Sequence, residues 1–134
     1  MGMRSNVEQL NSLLRSELAA VETYRIALAG LDTWDSTRRE LEACMQSHEE
    51  RVVVLRDAVL SIGGIPIDAV GPIEETAITI EALTEGEDHR LKDYRDEIDD
   101  GDIDQDTRDI MATQLWPAQK QTYARLSALR KQMH

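Results

Sequence analysis

The sequence predicts an all-α fold, a four-helix bundle with residues 1–134 forming a single domain, and three observations carry that reading. Apolar residues recur at alternating steps of three and four along four long stretches, the period that lays one face of an α-helix against a core. Glycine, proline and acidic clusters punctuate the chain between those stretches. The composition is aliphatic, 41% hydrophobic but only 4% aromatic and without Phe, so Leu, Ile, Val, Ala and Met must fill the core, a set weighted toward helix formers. At 134 residues the chain is one domain by size and buries enough surface to fold without cross-links.

Helix 1, residues 6–29, opens with the capping box Ser5 and Glu8, continues through Val7, Leu10, Leu14, Val21, Tyr24 and Leu28, and stops at Gly30. A second box, Thr37 with Glu40, opens helix 2, residues 36–62, whose seam is Leu41, Met45, Val52, Leu55, Val59 and Ile62 before Gly63-Gly64 closes it. The stretch GGIPIDAVGP, Gly63 to Pro72, holds two prolines and three glycines and reads as an extended connection between helices 2 and 3. Its ten residues reach at most about 33–36 Å against a helix of about 39 Å, so both a strap along the bundle and a loose hairpin loop remain open.

Pro72 suits the first position of helix 3, residues 72–98, with Ile80, Leu91, Tyr94 and Ile98 on its seam and the turn Asp99-Asp100-Gly101-Asp102 at its end. Helix 4, residues 105–131, starts acidic at Asp104 and Asp106, carries Ala112, Leu115, Leu126 and Leu129, and ends basic at Arg130-Lys131. Pro117 lies inside it. Lacking a donor for the carbonyl of Thr113, it predicts a kink or a break. The helices are expected as up-down pairs joined by the extended connection.

Charge narrows the function. With 15 Lys plus Arg against 26 Asp plus Glu, the net charge of −11 repels phosphate backbones and anionic lipid, and the adjacent basic pairs Arg38–Arg39 and Arg130–Lys131 do not offset it. Neither nucleic acid nor membrane is an expected partner. The N-terminal residues form no apolar leader, and the longest all-aliphatic run, Val52 to Leu55, is far below the roughly 20 residues of a bilayer span. Cys44 is alone and has no intrachain disulfide partner, which fits a cytoplasmic location.

Each seam skips one position that is not apolar. Glu17 falls on the buried stripe of helix 1, His48 on that of helix 2 and Glu87 on that of helix 3, while helix 4 offers Gln119 and Thr122 with Tyr123 beside them. Each lies near the middle of its helix, so all four helices meet at one polar level. Ionisable groups are almost never buried without partners or metal. Paired carboxylates with a histidine inside a bundle are the donor set of di-metal carboxylate proteins, in which two helices give one Glu each and two give Glu-x-x-His.

The stretches LNSLLRSELAAVETYRIAL, HEERVVVLRDAVLSIGGIP and ALTEGEDHRLKDYRDEI resemble the ferritin-like superfamily, in particular an uncharacterised bacterial ferritin-like four-helix family. The resemblance covers most of helices 1 to 3 and weakens in helix 4. It implies a ferritin-like four-helix bundle in which Glu17, His48 and Glu87 match three of the six di-iron ligands. Met45 stands where the first Glu-x-x-His has its carboxylate, and Gln119-x-x-Thr122 replaces the second. Two carboxylates and one imidazole suffice for a single iron, manganese or zinc ion with open positions and fall short of two. The alternative needs no cofactor: a hydrogen-bonded network, completed by Gln119, Thr122 or Tyr123, that fixes helix register in a non-enzymatic bundle.

Other polar residues read as surface or filler. Glu22 follows the seam residue Val21, His89 sits among Glu85, Glu87, Asp88 and Arg90 on a solvated face, His134 is terminal, and Trp34 and Trp116 suit either interface anchors or lids on the bundle ends. Leu13, Val53 and Ile78 are left as apolar flanks, which predicts a homodimer.

Overall fold

The computed structural model describes residues 6–31, 35–68, 70, 78–101 and 103–132. Their regular elements are helical: α1 is Asn6–Ala29, α2 Ser36–Ser61, α3 Ile80–Ile98 and α4 Gln105–Ile110. A π-helical segment, Met111–Leu115, joins α4 to α5, Trp116–Gln132, so three elements make the fourth rod.

Local chemistry sets the ends. Asp35, not Thr37, caps α2, because its carboxylate reaches the amides of both Thr37 and Arg38. Ser5 lies outside the described residues. At the far end of α2, Gly64 N–H bonds Val59 O at 3.0 Å and Gly63 N–H bonds Leu60 O at 3.1 Å, a Schellman closure that requires the left-handed φ of +80° at Gly63. Ile62, expected on the seam, is pushed to this cap and is 41% exposed. Helix 3 starts later than the proline predicts: Pro72 lies outside the described residues, while Thr79 is extended and caps α3, its hydroxyl accepting from Ala82 N–H at 3.0 Å.

The connection after α2 lies against α1. Asn11 donates to Ile65 O at 3.0 Å and accepts from Ile67 N–H at 3.1 Å, a two-point clamp on an extended backbone. Gly64 passes so close that a Cβ there would sit 2.8 Å from Val7 and 2.9 Å from Val59. Cross-helix pairs give the directions. Gln9 meets Asp100, Glu17 meets Tyr94 and Tyr24 meets Glu87, so α3 is antiparallel to α1. α2 is also antiparallel to α1, with His48 beside Glu17 and its C-terminal Gly64 beside Val7. The chain therefore leaves α2 near Val7 and enters α3 near Tyr24, where Ile78 and Ile80 pack.

The fourth rod runs through Pro117 without ending. Trp116 N–H bonds Met111 O five residues back, the π pattern, immediately before the residue that has no N–H to give. This wider turn changes the buried face. Thr107, Met111, Leu115 and Gln119 are buried at successive steps of four, which a pure 3.6-residue helix would rotate away from the core. Ala112, expected on the seam, is exposed, and Met111 takes its place.

The aliphatic core has two parts. One holds Leu10, Leu14, Leu55, Val59, Met111 and Leu115, the other Leu28, Leu41, Cys44, Leu83, Leu126 and Leu129. A polar layer separates them. Leu13 is only 4% exposed and Ile78 packs on the second cluster, so neither is a free flank; Val53 remains 55% exposed. Among the described residues no helix is long and apolar enough to cross a membrane.

Candidate functional site

Glu17, His48, Glu87, Gln119 and Thr122 meet at mid-height, each at most 1% exposed. His48 lies between the two carboxylates: Nδ1 is 2.6 Å from Glu17 Oε1 and Nε2 is 2.7 Å from Glu87 Oε2. A carboxylate offers acceptors only, so both ring nitrogens must carry protons and the ring is an imidazolium. Tyr24 stacks on it, with ring centroids 5.3 Å apart, and donates its hydroxyl to Glu87 Oε2 at 2.7 Å. From the other half of the core Tyr94 donates to Glu17 Oε2 at 2.8 Å.

The fourth ion of the layer is Arg51, 2% exposed, which the single-file seam passes over. The helices bury two adjacent positions in several turns, as at Leu13–Leu14, Arg51–Val52 and Ala58–Val59, so the buried stripe is wider than one residue. The available signal was spacing: Arg51 is three residues after His48 and faces the same way. Its guanidinium reaches Glu17 Oε2 at 3.3 Å, Thr122 Oγ1 at 3.1 Å and Ser47 Oγ at 3.2 Å, and it bonds Gln119 Oε1. Only Arg has enough fixed donors for so many acceptors.

Gln119 completes the circuit. Its oxygen faces the guanidinium while its amide nitrogen donates to Glu87 O at 2.7 Å and Glu87 Oε1 at 3.0 Å, and Thr122 donates to the same carboxylate oxygen. The π turn is what brings Gln119 onto this face. Glu17 and Glu87 against His48 and Arg51 make the buried quartet neutral, with Arg90 at its rim 3.9 Å from Glu87.

Electrostatics follow from this geometry. Burial alone pushes the Glu17 carboxyl up, but His48, then Arg51 and Arg90, hold it below the usual carboxylate range. Burial likewise opposes ionisation of Glu87, and the bonds from His48, Thr122 and Tyr24 bring it down to about 2. Burial would neutralise His48, yet Glu17 and Glu87 hold its titration above the ordinary value. The phenols of Tyr24 and Tyr94 are pushed up by burial and by the carboxylates they serve, and Cys44 is raised to about 12 by burial and Glu87, an inert thiol.

The hydrogen bonds of the layer engage the same atoms that a metal ion would use. A metal-binding imidazole needs a bare nitrogen lone pair, and His48 has both nitrogens on carboxylates. The oxygens of Glu17 and Glu87 receive internal donors, and a permanent cation stands beside them. Among the described residues no group of three or more His, Cys, Asp or Glu side chains is disposed to hold an ion. Tyr123 is half-buried and makes none of the layer's hydrogen bonds. Met45 is also half-buried and packs on the second cluster. Glu22 pairs with Arg25 at the surface and His89 is exposed, while Trp34 and His134 lie outside the described residues.

The shifts fix a pH dependence. Glu17 and Glu87 titrate below their unfolded values, so their contribution is complete above about pH 4.5 and is lost as pH falls toward the Glu87 value of about 2. His48 titrates above its unfolded value, so its contribution is complete below about pH 6.5 and is lost as pH rises through the folded value. Urea midpoints should therefore peak between about pH 4.5 and about pH 6.5 and decline on the alkaline side. The alkaline decline should vanish in His48→Gln; a native profile that is flat up to about pH 9 contradicts this assignment.

Comparison with known proteins adds no relative: no family model matches the chain, nor does any curated protein or solved structure.

Proposed function

We propose that this protein is a ferritin-like bundle that works without metal, as a non-enzymatic structural or protein-interaction module whose polar layer fixes the register of its helices. The observation that carries this reading is the closed donor and acceptor circuit around His48 and Arg51. Glu17, His48, Glu87 and Gln119 have no exposed surface through which a substrate would reach them. The ferritin-like assignment draws support from the passage of the chain from the Val7 end of α2 to the Tyr24 end of α3, since ferritin-like bundles carry one long crossover.

Buried polar groups specify register because any slip of one helix separates them, and an uncompensated buried ion costs about 3–5 kcal/mol. Protein purified without chelator should contain no stoichiometric iron, manganese or zinc, and EDTA should leave its thermal midpoint unchanged. Roughly one ion per chain, lost to EDTA together with stability, would overturn the reading.

The same proposal has the protein self-associate through the exposed face of α2. Val53 and Leu60, 55% and 56% exposed, are seven residues apart on one side of that helix. Sedimentation at micromolar concentration should give a dimer that Leu60→Glu converts to a monomer. A native monomer removes this part of the proposal.

A further inference from the structure

We infer that two copies of this chain pack in parallel through their α2 helices, with Arg56 of each seated in a hollow of the other that Asp57 lines. The inference rests on the self-association proposed above and gives it a geometry. At about 100° per residue, Val53 and Leu60 fall on one line of the helix, with Arg56 about 50° to one side of it and Asp57 about 50° to the other. Neither charged side chain has an ion-pair or hydrogen-bond partner among the described residues. Their own helix offers none: the residues three and four away from Arg56 are Val52, Val53, Val59 and Leu60, and those around Asp57 are Val53, Val54, Leu60 and Ser61. Both ions are free to pair outside the chain.

The two sides of that line differ in shape. Asp57 borders an open hollow of about 290 Å³ between α2 and the fourth rod, lined also by Val54, Ala58, Ser61, Ile110 and Gln114. A carboxylate, a hydroxyl and an amide oxygen beside aliphatic surface suit a guanidinium, whose five donors lie in one plane. Arg56 stands on the opposite side, that of Val52 and Val59. A twofold axis parallel to the helices therefore sets each Arg56 against the partner's Asp57, and it lays Val53 on Val53 and Leu60 on Leu60, residues 55% and 56% exposed in the single chain. Antiparallel pairs match less well. Setting Val53 on Leu60 puts Arg56 against Arg56 and Asp57 against Asp57. An axis at Val53 gives Arg56 a partner in Glu49, but it sets Asp57 against Glu50 and Leu60 against Gln46. In the parallel pair Glu49 and Glu50 face like charge, which confines the contact to the C-terminal half of α2.

The test reads affinity by sedimentation and arrangement by cross-linking. Arg56→Asp and Asp57→Arg should each raise the dimer Kd by roughly a hundredfold, because each change is made twice per dimer, and the double variant should return it to within about tenfold of the native value. Val53→Cys and Leu60→Cys, made one at a time, should both give disulfide-linked dimers in a glutathione redox buffer, since each position meets its own copy within reach of a disulfide. The native chain, whose Cys44 is buried, should give none. Linkage at only one of the two positions, or at neither, overturns the parallel arrangement. A dimer indifferent to Arg56→Asp, or one that the double variant does not restore, leaves the association standing and overturns the arginine seat. A native monomer is a different failure, that of the self-association itself, and this inference falls with it.

Discussion

Two carboxylates buried in an aliphatic core govern this structure. Desolvating an ionised group costs several kcal/mol even after relaxation, so Glu17 and Glu87 are tolerated only with cations and donors at fixed positions. His48 supplies one cation and bridges both carboxylates; Arg51 supplies the other and carries the network to Ser47, Gln119 and Thr122. Those partners come from α1, α2, α3 and α5, so one cluster ties the four rods together at one level. The aliphatic packing on either side is less selective, since a shifted helix exchanges one Leu for another at modest cost.

Other features serve that layer. Tyr24 and Tyr94 pack in opposite halves of the core and each turns its hydroxyl toward the middle, so their rings belong to the hydrophobic clusters and their oxygens to the polar one. The π segment ahead of Pro117 shifts the buried face of the fourth rod by one residue, which keeps Met111 and Leu115 in line with Gln119. At the Val7 end, the Schellman closure at Gly63 and the Asn11 clamp hold the start of the connection against α1.

Much of this was legible in the residue pattern. Periodicity and punctuation located four helical stretches, and the polar exceptions at Glu17, His48 and Glu87 marked where they meet. What was not legible has specific physical causes. Arg51 was passed over because a charged residue beside a seam is ordinarily solvated, and only three-dimensional pairing reveals that its charge is spent inside. Ala112 was misplaced because a π turn is set by a hydrogen-bond shift five residues deep that no spacing rule anticipates. The start of α3 at Ile80 is set by the Thr79 cap, one of several helix-start signals in that stretch among which local preference alone does not decide. The protonation of His48 depends wholly on what lies on each side of the ring.

The doubly protonated ring of His48 is what balances the charge of the layer. Nitrogen NMR of imidazole-labelled protein near neutral pH, with His48 assigned by its loss in His48→Gln, reads it directly. Both ring nitrogens of His48 should appear protonated and protected from solvent exchange. One protonated and one bare nitrogen would contradict the account, because the layer would then be short of a charge and His48 would have a lone pair free for an ion.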